Sequence, residues 1–390
     1  MSVISIERFK IDVPEAVLDD LRERLERTRW SDIDPDGWDR GTNQTYMKDL
    51  VDHWMDHYDW REHEANLNRF DHYVATVDGV CIHFIHQRSG RPDAVPLLLI
   101  HGWPDSFYRY HKVIPLLTGP GAPEGPEISF DVVVPSIPGF GFSERRAMTV
   151  DAAADLFAKL MTKELGYERF VCGGGDLGFL IARSLAVRRP ELVSALHLTE
   201  VGYPDQTTDL SMLSPEEREF ASFIQEWLFK DGTYNMIQST KPDSLAVGLN
   251  DSPAGLAAWI MNFAAIGMTG QEVDRRIPRD EMLTNIMIYW VTGTITSSVR
   301  WYYEIAHAPP PAGTGKRLEV PTAVAHMPLD APLPRRWAER SVNLKHFTEM
   351  PRGGHFGAWE LPELFAQDLK ASMAEILGMR EAPFATAGAR

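Results

Sequence analysis

Tyr167-Glu168-Arg169-Phe170-Val171-Cys172 runs into Gly173-Gly174-Gly175-Asp176-Leu177-Gly178, and Phe179-Leu180-Ile181-Ala182-Arg183-Ser184-Leu185-Ala186 runs out of it. The first run is of β type and the last is helical, while the glycines between them allow a turn tighter than side chains tolerate. Strand, sharp turn and helix form the setting that lifts a nucleophile clear of a sheet, usually with serine at the centre of Gly-x-Ser-x-Gly. Here the centre is Asp176. A serine oxygen alkylated at an sp³ carbon becomes an ether, which water does not readily cleave. A carboxylate attacking the same carbon becomes an ester, which an activated water hydrolyses. The plainer reading is a glycine-rich turn ending in an N-cap aspartate, so the assignment depends on what else the chain brings to this turn.

On either side of the turn the text alternates between strand and helix. Tyr73–Val77 and Val80–Ile85 flank Asp78-Gly79, a hairpin signal. Pro96–Ile100, Phe130–Val134, Leu192–Leu198 and Pro321–His326 are short continuous apolar runs separated by helical stretches such as Ala152–Leu165. Such runs predict an α/β fold whose mostly parallel sheet is covered on both faces. Residues 1–70 differ: they are rich in Asp, Arg, His and Trp, with amphipathic helices expected over Val13–Arg29 and Asn43–Asp59. They read as a meander packed on the core, with Trp30, Trp38, Trp54 and Trp60 filling the interface. Residues 71–200 form the first part of the core. Residues 201–295 break the pattern with helices, one opened by the capping box Ser214-Pro215-Glu216-Glu217 and one by Asp251-Ser252-Pro253, and read as a lid. Residues 296–380 return to the core and close it with a helix over Phe356–Leu377, and 381–390 form an Ala/Gly-rich, flexible tail.

Composition narrows the function. The 390 residues, 44% hydrophobic, suffice for one large core or for two to three modules of about 150 residues. A net charge of −16 without a basic run argues against a nucleic-acid partner. No stretch of about 18 apolar residues predicts a membrane span, and the N terminus lacks a signal-peptide pattern. Cys81 and Cys172 lie in apolar strand-like runs, so free thiols in a reducing cytoplasm are expected. No His-Glu-x-x-His, paired-Cys or phosphate-loop pattern occurs, so neither metal nor cofactor is expected.

Open parallel sheets bind ligands at the carboxyl ends of their strands, and four features fall there. Asp176 is one. His101-Gly102-Trp103-Pro104 follows the strand ending at Ile100 and, with the residue after the nucleophile, suggests an oxyanion hole made by the N–H groups of Trp103 and Leu177. His355 follows Gly353-Gly354 and stands last in the order nucleophile, acid, histidine. Asp330, in the loop after the Pro321–His326 strand, is the acid that would orient it. Glu339 and Glu349 compete for that role from helix-like and strand-like stretches.

His101-Gly102-Trp103-Pro104, Pro138-Gly139-Phe140-Gly141-Phe142-Ser143, Gly174-Gly175-Asp176 and Arg352-Gly353-Gly354-His355-Phe356 resemble the epoxide hydrolases of the α/β-hydrolase superfamily. The likeness is closest to the microsomal-type branch, whose N-terminal meander resembles residues 1–70. Its lid resembles Ile237–Pro242, Asn250–Ile260 and Tyr289–Ile295. It covers nearly the whole chain. The resemblance implies hydrolysis of a small apolar epoxide by water to a vicinal diol through an aspartyl ester. It also implies two lid tyrosines, at Tyr234 and Tyr302, that hold the epoxide oxygen; Tyr303 adjoins the second. It matches the orienting acid to Asp330, where mammalian relatives often carry glutamate. Leu177 departs from the tryptophan common in the family, and the mammalian membrane anchor is not matched, which leads to the expectation of a soluble bacterial enzyme. A dehalogenase sharing the aspartate, or a non-catalytic binding protein on the same fold, are the alternatives. A homodimer and a place in natural-product biosynthesis stay open.

Overall fold

The apolar runs become strands of a single sheet in the computed structural model, which describes residues 6–32, 37–119, 128–205, 208–264 and 270–379. Among the described residues the strands are β1 (Ile6–Arg8), β2 (His72–Val77), β3 (Val80–Gln87), β4 (Val95–Ile100), β5 (Phe130–Pro135), β6 (Phe170–Gly174), β7 (Val193–Leu198), β8 (Leu318–His326) and β9 (Val342–Glu349). Their spatial order is β1-β2-β3-β5-β4-β6-β7-β8-β9. β1, β2, β3 and β5 pair antiparallel in succession, and every pairing from β5 through β9 is parallel. The hairpin at Asp78-Gly79 forms because both residues accept positive φ, 49° and 81°.

Successive strand residues face opposite sides of a sheet, and Leu97, Leu98, Leu99 and Ile100 of β4 are all fully buried. Both faces are therefore covered, by helices that include Val113–Thr118, Val150–Lys159, Leu177–Arg188 and Pro362–Ile376. Register decides where the site lies. Ile100 of β4 aligns with Gly174 of β6, and Gly174 with Leu198 of β7. These central strands end level, so the loops after them leave the sheet side by side.

The helices between β7 and β8 form a separate layer. The Pro215–Lys230 helix opens with the expected capping box: Ser214 Oγ accepts the Glu217 N–H and Glu217 Oε2 accepts the Ser214 N–H. The boundary expected at 295 does not fall there. Gly293, in left-handed geometry, ends one helix, but Ile295–His307 starts another that packs on the helices Thr233–Thr240 and Pro242–Asp251. The helical layer thus continues to His307. The N-terminal segment holds this layer: Tyr46 Oη donates to Asp274 at 2.7 Å and Thr42 Oγ1 to the Ala258 carbonyl at 2.7 Å.

Three local expectations are corrected. The closing helix is two, Gly357–Glu360 and Pro362–Ile376. Leu361 leaves helical geometry because the Pro362 ring disfavours it in the preceding residue. A further helix, Trp60–Leu67, starts at Asp59, whose side chain accepts the Arg61 N–H. Trp54 and Trp60 are buried and Trp38 partly so, whereas Trp30 is exposed under Lys48. The tail expected at 381–390 lies outside the described residues. Among the described residues no helix is long and apolar enough to cross a membrane.

Candidate active site

The elbow depends on glycine at positions where no Cβ fits. A Cβ on Gly178 would stand 2.1 Å from the Ile100 carbonyl oxygen, and one on Gly174 would stand 2.8 Å from Gly178. The Leu177–Arg188 helix is thereby drawn against the end of β4. Asp176 sits at the bend with φ 55° and ψ −128°, a conformation costly for any residue with a side chain. It is also the N-cap of this helix, so the plain reading and the catalytic one describe the same residue. The first helical turn places a partial positive charge beside its carboxylate.

The loop after β4 closes on this carboxylate. Asp176 Oδ1 accepts the N–H of Trp103 at 2.8 Å and of Leu177 at 2.6 Å. Asp176 Oδ2 is left facing His355, whose Nε2 is 3.9 Å away. His355 Nδ1 donates to Asp330 Oδ2 at 3.3 Å. The loops bearing these two residues are stitched together by the Leu329 N–H donating to the Gly353 carbonyl at 3.0 Å. Glu339 lies on the Arg335–Ser341 helix, where it accepts from Arg335, and Glu349 ends β9; neither is paired with His355.

Tyr234 and Tyr302 reach the site from the helical layer. Their rings lie 5.8 Å apart, and each is 5.6 Å from the Trp103 ring, Tyr234 stacked on it and Tyr302 edge-on. Tyr303 points away, 40% exposed and stacked on His307. Phe263 completes the wall at 4.9 Å from Trp103 and 4.3 Å from Tyr234. The structure therefore brings Asp176, His355, Asp330, Trp103, Leu177, Tyr234 and Tyr302 to one place.

Sequence reasoning missed two features. The first is the buried pair Asp105–Arg109. Arg109 Nη1 donates to Asp105 Oδ2 at 2.6 Å, and Arg109 Nη2 donates to the His355 carbonyl at 2.6 Å. Asp105 Oδ1 accepts the Gly102 N–H at 2.8 Å. One ion pair thus ties the loop carrying Trp103 to the loop carrying His355. The second is Glu200, whose Oε1 accepts the Asp176 N–H and whose Oε2 accepts the Tyr203 hydroxyl. Glu200 follows β7 directly, so the rule that selects strand carboxyl ends would have found it.

Charge sets the titration of the group. Burial raises the Asp176 pKa, against the pull of His355 and the two N–H donors. Burial would lower that of His355, but the carboxylates of Asp330 and then Asp176 override it and lift it to about 9. Burial raises both phenols, and the nearby Asp176 charge adds to this at Tyr234. These shifts favour an imidazolium at His355 beside neutral phenols at Tyr234 and Tyr302. Among the described residues no three His, Cys, Asp or Glu side chains gather as a metal cradle.

Residues 6–110 match the family described as the epoxide hydrolase N terminus, and residues 95–359 match the alpha/beta hydrolase fold. Epoxide hydrolase 1 of Sus scrofa is 37% identical over 95% of this chain and 88% of its own. The chain belongs to the epoxide hydrolase family. It is an enzyme that hydrolyses an epoxide to a vicinal diol. Among solved structures, juvenile hormone epoxide hydrolase from the silkworm Bombyx mori superposes with a TM-score of 0.87 at 28% identity, covering 96% of this chain and 95% of that one. The Aspergillus niger epoxide hydrolase gives 0.79 at 26% identity, covering 95% and 97%.

Proposed function

We propose that Asp176 is the nucleophile, Tyr234 and Tyr302 the donors to the epoxide oxygen, and His355 the base, oriented by Asp330. The observation that carries this reading is the asymmetry of the Asp176 carboxylate. Oδ1 is tied to two backbone N–H groups, while Oδ2 is free of them and faces His355. Oδ2 therefore attacks a ring carbon. Oδ1 becomes the ester carbonyl oxygen, already seated in the hole formed by Trp103 and Leu177 that will hold the tetrahedral oxyanion.

The proton balance follows from the resting charges. Ring opening turns the epoxide oxygen into an alkoxide, which takes a proton from a phenol. The His355 imidazolium restores that proton and becomes neutral. Esterification cancels the Asp176 charge that helped hold His355 protonated, so the imidazole is released as a base when it is needed. It then takes a proton from water, hydroxide adds to the ester carbonyl carbon, and collapse frees the diol and the Asp176 carboxylate. One water is consumed and every group returns to its starting state.

The aromatic wall of Trp103 and Phe263 around Tyr234 favours an epoxide with a bulky apolar substituent. The name of the silkworm neighbour, a juvenile hormone epoxide hydrolase, fits that substrate class. The helical layer serves as the lid, and the free thiols Cys81 and Cys172 suit a bacterial cytoplasm. Halide displacement is the alternative. It would draw on the indole N–H of Trp103, which is buried without a hydrogen-bond partner.

His355→Gln tests the reading. With styrene oxide, intact mass should show one alkyl adduct that persists, mapped to the peptide holding Asp176, while diol release stops. Absence of the adduct, or an adduct on another residue, would overturn it. Halide release from a haloalkane with kcat/KM equal to that for the epoxide would favour the alternative.

A further inference from the structure

The mechanism above leaves one carboxylate of the site without a task. Glu200 is only 8% exposed, at the carboxyl end of β7, and both its oxygens are engaged, one by the Asp176 N–H and one by the Tyr203 hydroxyl. The first contact falls on the residue with the least comfortable backbone in the site, Asp176 at φ 55°. An N–H in a strained turn, held by a charged acceptor, is fixed more firmly than one held by a neutral group.

We propose that Glu200 is a positioning residue for epoxide hydrolysis: it clamps the strained elbow through the Asp176 N–H, and it supplies the negative charge beside His355 that Asp176 gives up on becoming an ester. This rests on the reading of Asp176 as nucleophile and His355 as base. The charged and titratable groups around Glu200 include His355, Asp176, Asp330, Tyr203 and Tyr234. Burial raises its pKa, His355 opposes this, and the carboxylates of Asp176 and Asp330 raise it further, to about 7. Esterification removes the Asp176 charge that opposes a second carboxylate here, so the Glu200 anion is favoured as His355 becomes an imidazolium again during ester hydrolysis. The imidazolium that forms as His355 deprotonates water then meets two carboxylates, Asp330 and Glu200. No proton passes through Glu200: it goes from water to His355, and hydroxide goes to the ester carbon.

Glu200→Gln separates charge from clamp, because an amide oxygen still accepts the Asp176 N–H. Rapid quench with styrene oxide, followed by intact mass, gives alkylation and ester hydrolysis separately as functions of pH. In the variant, alkylation should stay within about threefold of wild type, while hydrolysis falls about tenfold, the size of one lost pK unit of imidazolium stabilisation. The hydrolysis profile of the variant should also lose the ionisation that Glu200 contributes to it. Glu200→Ala removes clamp and charge together, so both steps should slow. Should that variant fail to fold, Tyr203→Phe frees one Glu200 oxygen and should slow hydrolysis more than alkylation. Glu200→Gln hydrolysing its ester at the wild-type rate at every pH would overturn the proposal, as would Glu200→Ala or Tyr203→Phe leaving both steps unchanged. Failure of His355→Gln to trap any ester would instead remove the underlying reading, and this one with it.

Discussion

At the scale of single residues, the choice between Tyr302 and Tyr303 shows what a sequence leaves open. Neighbours on a helix point about 100° apart, and each tyrosine lies in an aromatic stretch, so no spacing rule selects one. Packing does: Tyr302 lies against Trp103 and Tyr234, and Tyr303 lies on His307. Tyr234→Phe and Tyr302→Phe should each slow ester formation about 10²-fold, the cost of losing one donor to a developing oxyanion. Tyr303→Phe should change it less than about twofold, as expected for a surface position. Stopped-flow or quench measurement of the alkylation step checks this, and a large loss in Tyr303→Phe would reassign the donor. Asp176 was legible because an acid in a glycine elbow is a rare combination with a chemical meaning. Glu200 carried only its place two residues past the end of β7, and what brings it to Asp176 is β7 ending level with β6, a fact of register.

Elements were legible where one force dominates them. Continuous apolar runs gave the parallel strands, and Ser214 with Glu217 gave a helix start, because burial and capping act within a few residues. The Trp60–Leu67 helix was not, since its polar surface hides the two residues it buries most deeply, Trp60 and Leu67. The final helix was read through Leu361, where Pro362 breaks it. The loop after β4 is the element on which the proposed chemistry most depends. Gly102 has no room for a side chain: a Cβ would lie 2.5 Å from both Cβ and Oδ1 of Asp176. Gly102→Ala must therefore move either the carboxylate or the Trp103 N–H that holds it. The expected result is a loss of about 10²-fold or more in kcat, comparable to deleting an oxyanion donor, with the far-UV circular dichroism unchanged. Near-wild-type turnover in this variant would mean that the Trp103 N–H does not act on the reacting group.

At the scale of the whole molecule, titratable groups buried on folding give stability a characteristic dependence on pH. His63, His72, His83, His86 and His111 all have lowered pKa values, burial being the first cause in each, down to about 4 at His86 and His111. Their contribution is complete above about 6.5 and is lost as pH falls towards those depressed values. His355 acts in the opposite sense. Its pKa rises from 6.5 to about 9, so its contribution is complete below 6.5 and drains away as pH climbs through 9. Glu200, raised from 4.5 to about 7, adds to that decline on its way to 7. On the acid side the five histidines oppose three carboxyls raised by burial, Glu200, Asp176 and Glu360, and outnumber them, whereas His355 stands largely alone between about 7 and 8, below the ionisation of both thiols. The melting temperature should therefore climb from about pH 4 to about 6.5 and then decline towards 8, by up to about 1.4 kcal/mol of stability per pH unit for the single proton involved. His355→Gln should flatten the alkaline decline and leave the acid limb in place. Differential scanning calorimetry of both proteins across this range tests the assignment. A wild-type melting temperature that keeps rising beyond pH 7, or a decline that survives in His355→Gln, would show that His355 is not held as an imidazolium between carboxylates in the resting enzyme.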